Sequence, residues 1–312
     1  METFFDSWTP PSSVTAHNGE ALNPQQVFFH KPPSEIGAVT TAYTGFLTGK
    51  RPQPARQVLL AAVCAVAFAA LGYFLVGLAF EGDPQRNQYA ALTCLGCGAL
   101  TFVIAYFCFG FKQVCSYVGE RGVARFTIKK SLEAPAKAEI FLFERAANLL
   151  TGSTRQFVNG VYAGTSYKFK WTDENGGKVF EFNGRYHSKE GKPKIKDPYW
   201  LASSAEMAWT RYKVDWLRKV VETNGYAPFT YSGKNEVRVG PGFLEFVVKG
   251  QTHRITVPEI KHIKLAGGHF NIQHQEARWF RGAGKFSFPY ASLTNARLFL
   301  HAMDKLVGYR FG

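Results

Sequence analysis

Four lysines stand within eight residues in Lys189-Glu-Gly-Lys-Pro-Lys-Ile-Lys196, mixed with Gly and Pro that keep the stretch out of regular structure. The ammonium groups of Lys189, Lys192, Lys194 and Lys196 can attract phosphate or anionic lipid through long-range charge. A solvated charged loop fits the same residues. Other reactive side chains promise less. The five cysteines, Cys64, Cys94, Cys97, Cys108 and Cys115, all lie in or beside two apolar runs. Cys94-Leu-Gly-Cys97 has C-x-x-C spacing, but inside an apolar run it fits small polarizable residues at a helix contact better than a redox or metal pair. His253, His262, His269 and His274 gather without the Cys or closely spaced Glu of a zinc site. His269 and His274 fall on opposite faces of a strand. No G-x-S-x-G, P-loop or H-E-x-x-H occurs. The expectation is a binding protein and not an enzyme, with no cofactor and no metal.

The elements that position this chemistry start with two uncharged runs, Val58–Phe80 and Tyr89–Phe111, of 23 residues each. At about 1.5 Å per residue, roughly 20 apolar residues cross a ~30 Å hydrocarbon core. Neither run carries the polar stripe of a helix in a soluble core. The polar, turn-rich link Glu81–Gln88 separates them. The sequence thus predicts a transmembrane helical hairpin over 57–112. Lys50, Arg51 and Arg56 precede it, and Lys112, Arg121, Arg125, Lys129 and Lys130 follow; the link holds Arg86 against Glu81 and Asp83. That bias predicts an integral membrane protein of two spans with both termini cytoplasmic. Cysteine is absent after Cys115, which fits a reducing compartment. With no charge in either run, a proton relay or voltage sensor is not expected there.

The whole net charge of +14 lies beyond the hairpin. Residues 113–312 hold 31 Lys and Arg against 17 Asp and Glu, and residues 1–112 hold six of each. A basic region tethered at a cytoplasmic face is drawn to anionic lipid by roughly 1 kcal/mol per near-surface cation. Nucleic acid is the other acidic partner to weigh, but no recognition helix, zinc finger or aromatic RNA-binding signature is present, and none is expected to bind. Residues 1–56 are rich in Pro, Ser, Thr, Asn and Gln and read as a disordered N-terminal tail.

From Val114 onward, short alternating segments predict strands. They are Gly122–Lys130, Ala138–Glu144, Tyr167–Trp171 and Lys178–Phe182, the last two joined by the turn Asp173–Gly177. Ala205, Ala208, Trp209, Tyr212, Trp216, Leu217 and Val220 predict a helix over Ser204–Val221. The plan then repeats. Gly242–Gly250 aligns with the Gly122 segment, with Phe at the fifth place and Lys at the eighth. Thr252–Val257, Glu259–Leu265, His269–His274 and Lys285–Phe288 follow, then a helix carrying Leu293, Phe299 and Met303. The expected domains are 113–224 and 225–312. The first copy has a longer insert, Leu149–Thr165, and the basic loop His187–Pro198.

Antiparallel strands closed by one helix resemble the pleckstrin-homology-like superfamily, including its bacterial and GRAM-type members, in two tandem copies over Val114–Val307. Gly242-Phe-Leu-Glu-Phe, Ile255-Thr-Val-Pro-Glu-Ile260, Ile263, Phe286-Ser-Phe288 and the last helix carry the resemblance. It implies a mainly-β (α+β) cytosolic region of two small β-barrels, each closed by a C-terminal helix. It also implies a lipid-headgroup or peptide platform, its ligand held by cations in loops at an open barrel end. The candidates are Lys129, Lys130, Lys189, Lys192, Lys194 and Lys196. Lys249 matches Lys129 but Gly250 replaces Lys130, so the second copy is the poorer lipid binder and suits docking. Two functions follow. One is a membrane-anchored module engaging anionic lipid headgroups. The other is a protein-interaction scaffold or accessory subunit of a membrane complex, without lipid specificity.

Overall fold

The computed structural model describes residues 8–48, 54–108, 112–129, 135–188, 193–194, 196–277 and 284–311. Two helices, α1 (Pro54–Ala79) and α2 (Arg86–Cys108), form a hairpin. Both are long and apolar enough to cross a bilayer. Their large apolar side chains point outward, with Val66 70% and Leu95 72% exposed. Small residues let the helices approach: a Cβ on Gly98 would lie 3.2 Å from that of Ala69.

The hairpin is inserted between two neighbouring strands of one sheet. That sheet has the order β1 (Val39–Thr44), β2 (Lys112–Gly119), β3 (Gly122–Lys129) and β4 (Lys137–Leu142). β1 pairs antiparallel with β2, Thr44 opposite Cys115. A second sheet holds β5 (Asn148–Val158), β6 (Val161–Thr172) and β7 (Lys178–Tyr186), and α3 (Tyr199–Asn224) follows. Gly225 ends α3 in the left-handed region (φ 78°), its N–H donating to the Val221 carbonyl at 2.8 Å. The order then repeats. β8 (Ala227–Tyr231), β9 (Asn235–Gly240), β10 (Phe243–Val248) and β11 (Gln251–Thr256) make a four-stranded sheet. β12 (Ile260–Ala266), β13 (His269–His274) and β14 (Lys285–Pro289) make a three-stranded one. A short α4 (Ala296–Ala302) runs on into the wider turn Met303–Val307.

Four expectations need correction. First, residues 8–48 are not a disordered tail. They supply β1, and Val14, Phe28, Phe29 and Ile36 pack on Tyr117, Phe126 and Ile128 of β2 and β3. The approach is close: a Cβ on Gly119 would stand 2.3 Å from the Ile36 carbonyl oxygen. Burial of these aromatic and aliphatic groups outweighs the disorder-prone composition around them.

Second, the barrels do not close. Among the described residues no ladder joins the four-stranded to the three-stranded sheet in either unit. Side chains join them instead. In the first unit Val118, Val123 and Phe141 meet Trp171 and Phe182, with Ala205 and Trp209 of α3.

Third, the boundary at 224 gives α3 wholly to the first unit, but the helix serves both cores. The first turns of α3 fill the first core, and Leu217, with Val214 and Val221 beside it, packs in the second.

Fourth, the repeat aligns one residue differently. Val118 faces Val123 in the first unit, and Gly240 faces Phe243 in the second, so the two-residue turns Glu120-Arg121 and Pro241-Gly242 correspond. Gly122 therefore matches Phe243, and Lys129 matches Gly250 rather than Lys249. A slip of one reverses faces. Phe126 packs beneath the N-terminal segment, whereas Phe246 lies in the core of the second unit.

Candidate functional site

Side chains on a strand alternate, so one face of the first sheet carries Lys112, Val114, Ser116 and Val118 on β2, and Val123, Arg125, Thr127 and Lys129 on β3. Lys137, Glu139 and Phe141 continue it on β4. At one end of this face Val118, Val123 and Phe141 are buried in the core. At the other end the core stops and a cleft of about 490 Å³ opens. Its far wall is the segment entering α3, with Lys196, Asp197, Pro198, Trp200 and Leu201.

Five cationic side chains line the cleft, Lys112, Arg125, Lys129, Lys137 and Lys196, against the carboxylates of Glu139 and Asp197. Both carboxylates are already engaged. Arg125 donates to Glu139 through Nε at 2.9 Å and through its terminal nitrogen. Asp197 Oδ1 accepts the Tyr199 N–H at 2.9 Å and so caps the start of α3. Among the described residues none of the four lysines has an ion-pair partner. Lys112 and Lys129 are direct cross-strand partners, and Lys137 stands opposite Thr127, diagonal to Lys129. Like charges opposite one another weaken a sheet.

The floor of the cleft is a buried polar lock. His17 is 5% exposed; its Nδ1 lies 2.8 Å from Thr41 Oγ1 and its Nε2 2.9 Å from Ser116 Oγ. Thr41 Oγ1 in turn lies 2.6 Å from Ser204 Oγ on α3. Burial lowers the imidazole to about 3, so it is neutral at ordinary pH. Ser116 and His17 have the contact of a nucleophile and its base. However, His17 is too weak a base for that work, and a threonine stands where a carboxylate would hold the ring. The network ties the N-terminal segment, β1, β2 and α3 together. Nearby, burial first and Asp197 second push the Tyr167 phenol up to about 12.

Of the six lysines expected to bind, Lys129 and Lys196 meet in this cleft. Lys194 is exposed and outside its lining, with its carbonyl accepting Trp200 Nε1–H at 3.0 Å. Lys130, Lys189 and Lys192 lie outside the described residues. Sequence reasoning misses Lys112, Lys137 and His17 as site residues. Lys112 carried a usable signal, as the first cation after the second apolar run; Lys137 and His17 carried none that links them to it. In the second unit Lys249 occupies the β10–β11 turn at φ 51°, its N–H donating to Asn235 Oδ1 at 3.3 Å. His274 Nε2 stands 3.9 Å from Glu259, and among the described residues no three His, Cys, Asp or Glu side chains gather as a metal site. No protein family matches the chain in sequence, and no curated protein does.

Proposed function

We propose that α1 and α2 span a membrane and that the cleft of the first unit holds the phosphate of an anionic lipid headgroup. The observation that carries this reading is the direct pairing of Lys112 with Lys129, on a wall that continues to Lys137 and faces Lys196. Alone, these ammonium groups repel. A phosphate between them converts repulsion into charge-assisted hydrogen bonding. A local conflict of this kind is what a binding site retains.

Position selects a membrane lipid as the source of the phosphate. Lys112 follows Cys108, the end of α2, by four residues. At most about 14 Å of extended chain separates the two. A group in the cleft therefore sits at headgroup depth. The Lys and Arg bias around the spans favours both termini in the cytoplasm, where the leaflet is anionic. The repeated order of four strands, three strands and a helix supports the resemblance to the pleckstrin-homology-like superfamily. The cleft lies where the β1–β2 and β3–β4 connections leave the sheet, as the open barrel end of that family would. The second unit, with Gly250 at the place of Lys129, acts as a support for α3 and for docking.

Native mass spectrometry of the full-length protein in neutral detergent, with equimolar phosphatidylglycerol and phosphatidylcholine, tests the proposal. The wild type should retain the anionic lipid preferentially. Lys112→Gln with Lys129→Gln removes two cations worth about 1 kcal/mol each, a loss of roughly thirtyfold in that preference. Equal retention of the two lipids, or an unchanged preference in the variant, contradicts it and favours the scaffold.

A further inference from the structure

The insert Leu149–Thr165 is a long β-hairpin. β5 and β6 run 11 and 12 residues, while β12 and β13, at the same place in the second unit, run 7 and 6. β5 and β6 stay paired as far as Val158 opposite Val161. Asn159 and Gly160 close the turn at φ 50° and 77°, the pair of positive angles that a tight two-residue hairpin requires. Beside this turn stand Phe157, Val158 and Val161, exposed by 60%, 62% and 70%. The matching turn of the second unit is Gly267-Gly268. An apolar tip of this kind, held out on paired strands, marks an interaction surface.

The surroundings of the tip are aromatic and cationic. The Phe157 ring stands edge-on to Tyr162 at 6.0 Å, and His187 lies 5.6 Å from Tyr162. Arg155 and Arg185 are exposed a few residues behind, and Arg185 donates to the Ala163 carbonyl. No Asp or Glu occurs between Ser153 and Ala163.

Contacts along β6 indicate the end of the unit at which the tip lies. Trp171 packs on Phe141, in the core end of the first sheet, at 5.3 Å. Farther along, Tyr167 packs on Tyr199 at the start of α3, also at 5.3 Å, and the residues just before Tyr199 wall the cleft. On β4 the step from Phe141 to Lys137 runs from the same core end toward the Lys112–Lys129 end, where the chain joins α2. The tip continues β6 in that sense.

We propose that the β5–β6 tip inserts into the interface of the same bilayer that α1 and α2 cross. Phe157, Val158 and Val161 enter the acyl-chain boundary, while Arg155 and Arg185 meet lipid phosphates. This contact rests on α1 and α2 spanning the membrane, and it is independent of what occupies the cleft. It gives the first unit a second point of attachment beside Lys112, which holds the cleft mouth against the headgroups.

The test is photo-crosslinking of the full-length protein in phosphatidylcholine–phosphatidylglycerol vesicles. A diazirine-bearing amino acid replaces Val158, or Val66 in α1, or Asn175 in the β6–β7 turn. Irradiation should add the mass of a phospholipid at 66 and at 158, and not at 175. Lipid at 66 with only water or protein captured at 158 overturns the proposal while leaving the spans in place. Lipid at 175 as readily as at 158 overturns it too. No lipid at either 66 or 158 overturns the membrane placement together with the proposal.

Discussion

His17 is the residue on which the first unit should depend most sharply with pH. In the folded protein burial holds it at about 3, against an ordinary 6.5 in the unfolded chain. As pH falls below 6.5 the unfolded state takes up a proton first. Stability is therefore full above pH 6.5 and declines by about 1.4 kcal/mol per unit as pH falls toward 3. Thermal melts at pH 7.5 and 5.5 should show the decline, and His17→Gln should flatten it at a lower plateau. An equal slope in the variant contradicts the lock. Gly119→Ala should destabilise by about 1–3 kcal/mol, because its Cβ would strike the Ile36 carbonyl; urea midpoints measure this. Some of the region was legible residue by residue. Asn18-Gly19 is a turn signal, and the flanking Thr15 and Ala21 do bridge. Val39-Thr-Thr-Ala-Tyr-Thr44 has strand composition. The average over residues 1–56 conceals both. No local pattern could reveal that His17 meets Ser116, 99 positions away.

At the scale of elements, the two long apolar helices, the strands after Val114 and α3 follow from composition, periodicity and turn chemistry. Strand partnership across the hairpin does not, because β1 and β2 are separated by 67 residues of sequence and only tertiary pairing joins them. This has a direct consequence. A fragment starting at Lys112 lacks the edge strand and the cover of its first sheet, and should lose the first unit's share of the cooperative melt. A chain in which residues 49–111 are replaced by a short Gly-Ser turn keeps β1 beside β2 and should melt cooperatively without detergent. Circular dichroism of the two decides, and equal behaviour would contradict the insertion. The proposed spanning of a membrane by α1 and α2 makes its own prediction. Gly82→Cys, in the link between α1 and α2, should react with an impermeant maleimide on intact cells, and Asn175→Cys only after permeabilisation. The reverse pattern would invert the topology. The face assignment of the repeat was not legible, since a shift of one place preserves the look of an alternating strand while exchanging its two sides.

For the whole molecule, the open point in the sequence was whether the two copies form one body. Asn295 joins them. It is 6% exposed and left-handed, at φ 54°. Its Oδ1 accepts the Leu149 N–H at 3.0 Å and Trp209 Nε1–H at 2.9 Å, both from the first unit. Its own N–H donates to the Leu149 carbonyl at 2.7 Å. Beside it Arg297 pairs with buried Glu206 of α3 at 3.2 Å. Burial raises that carboxyl, and Arg297 opposes the rise. Asn295→Ala leaves two buried donors unpaired and should cost about 2–4 kcal/mol. Calorimetry should then show one transition dividing into two. One unshifted transition would mean that the node does not couple the units. With the units held together and α2 ending four residues before Lys112, the proposed crossing of a bilayer by α1 and α2 would hold the cleft close to the headgroups, and its charge is the centre of the proposal. The decisive measurement is calorimetric titration of dihexanoyl phosphatidylglycerol into the full-length protein in neutral detergent, at low and high salt. The account predicts saturable binding that weakens with salt, is lost in Lys112→Gln with Lys129→Gln, and is absent for dihexanoyl phosphatidylcholine. Equal binding of the two lipids, or unchanged binding by the double variant, would contradict it.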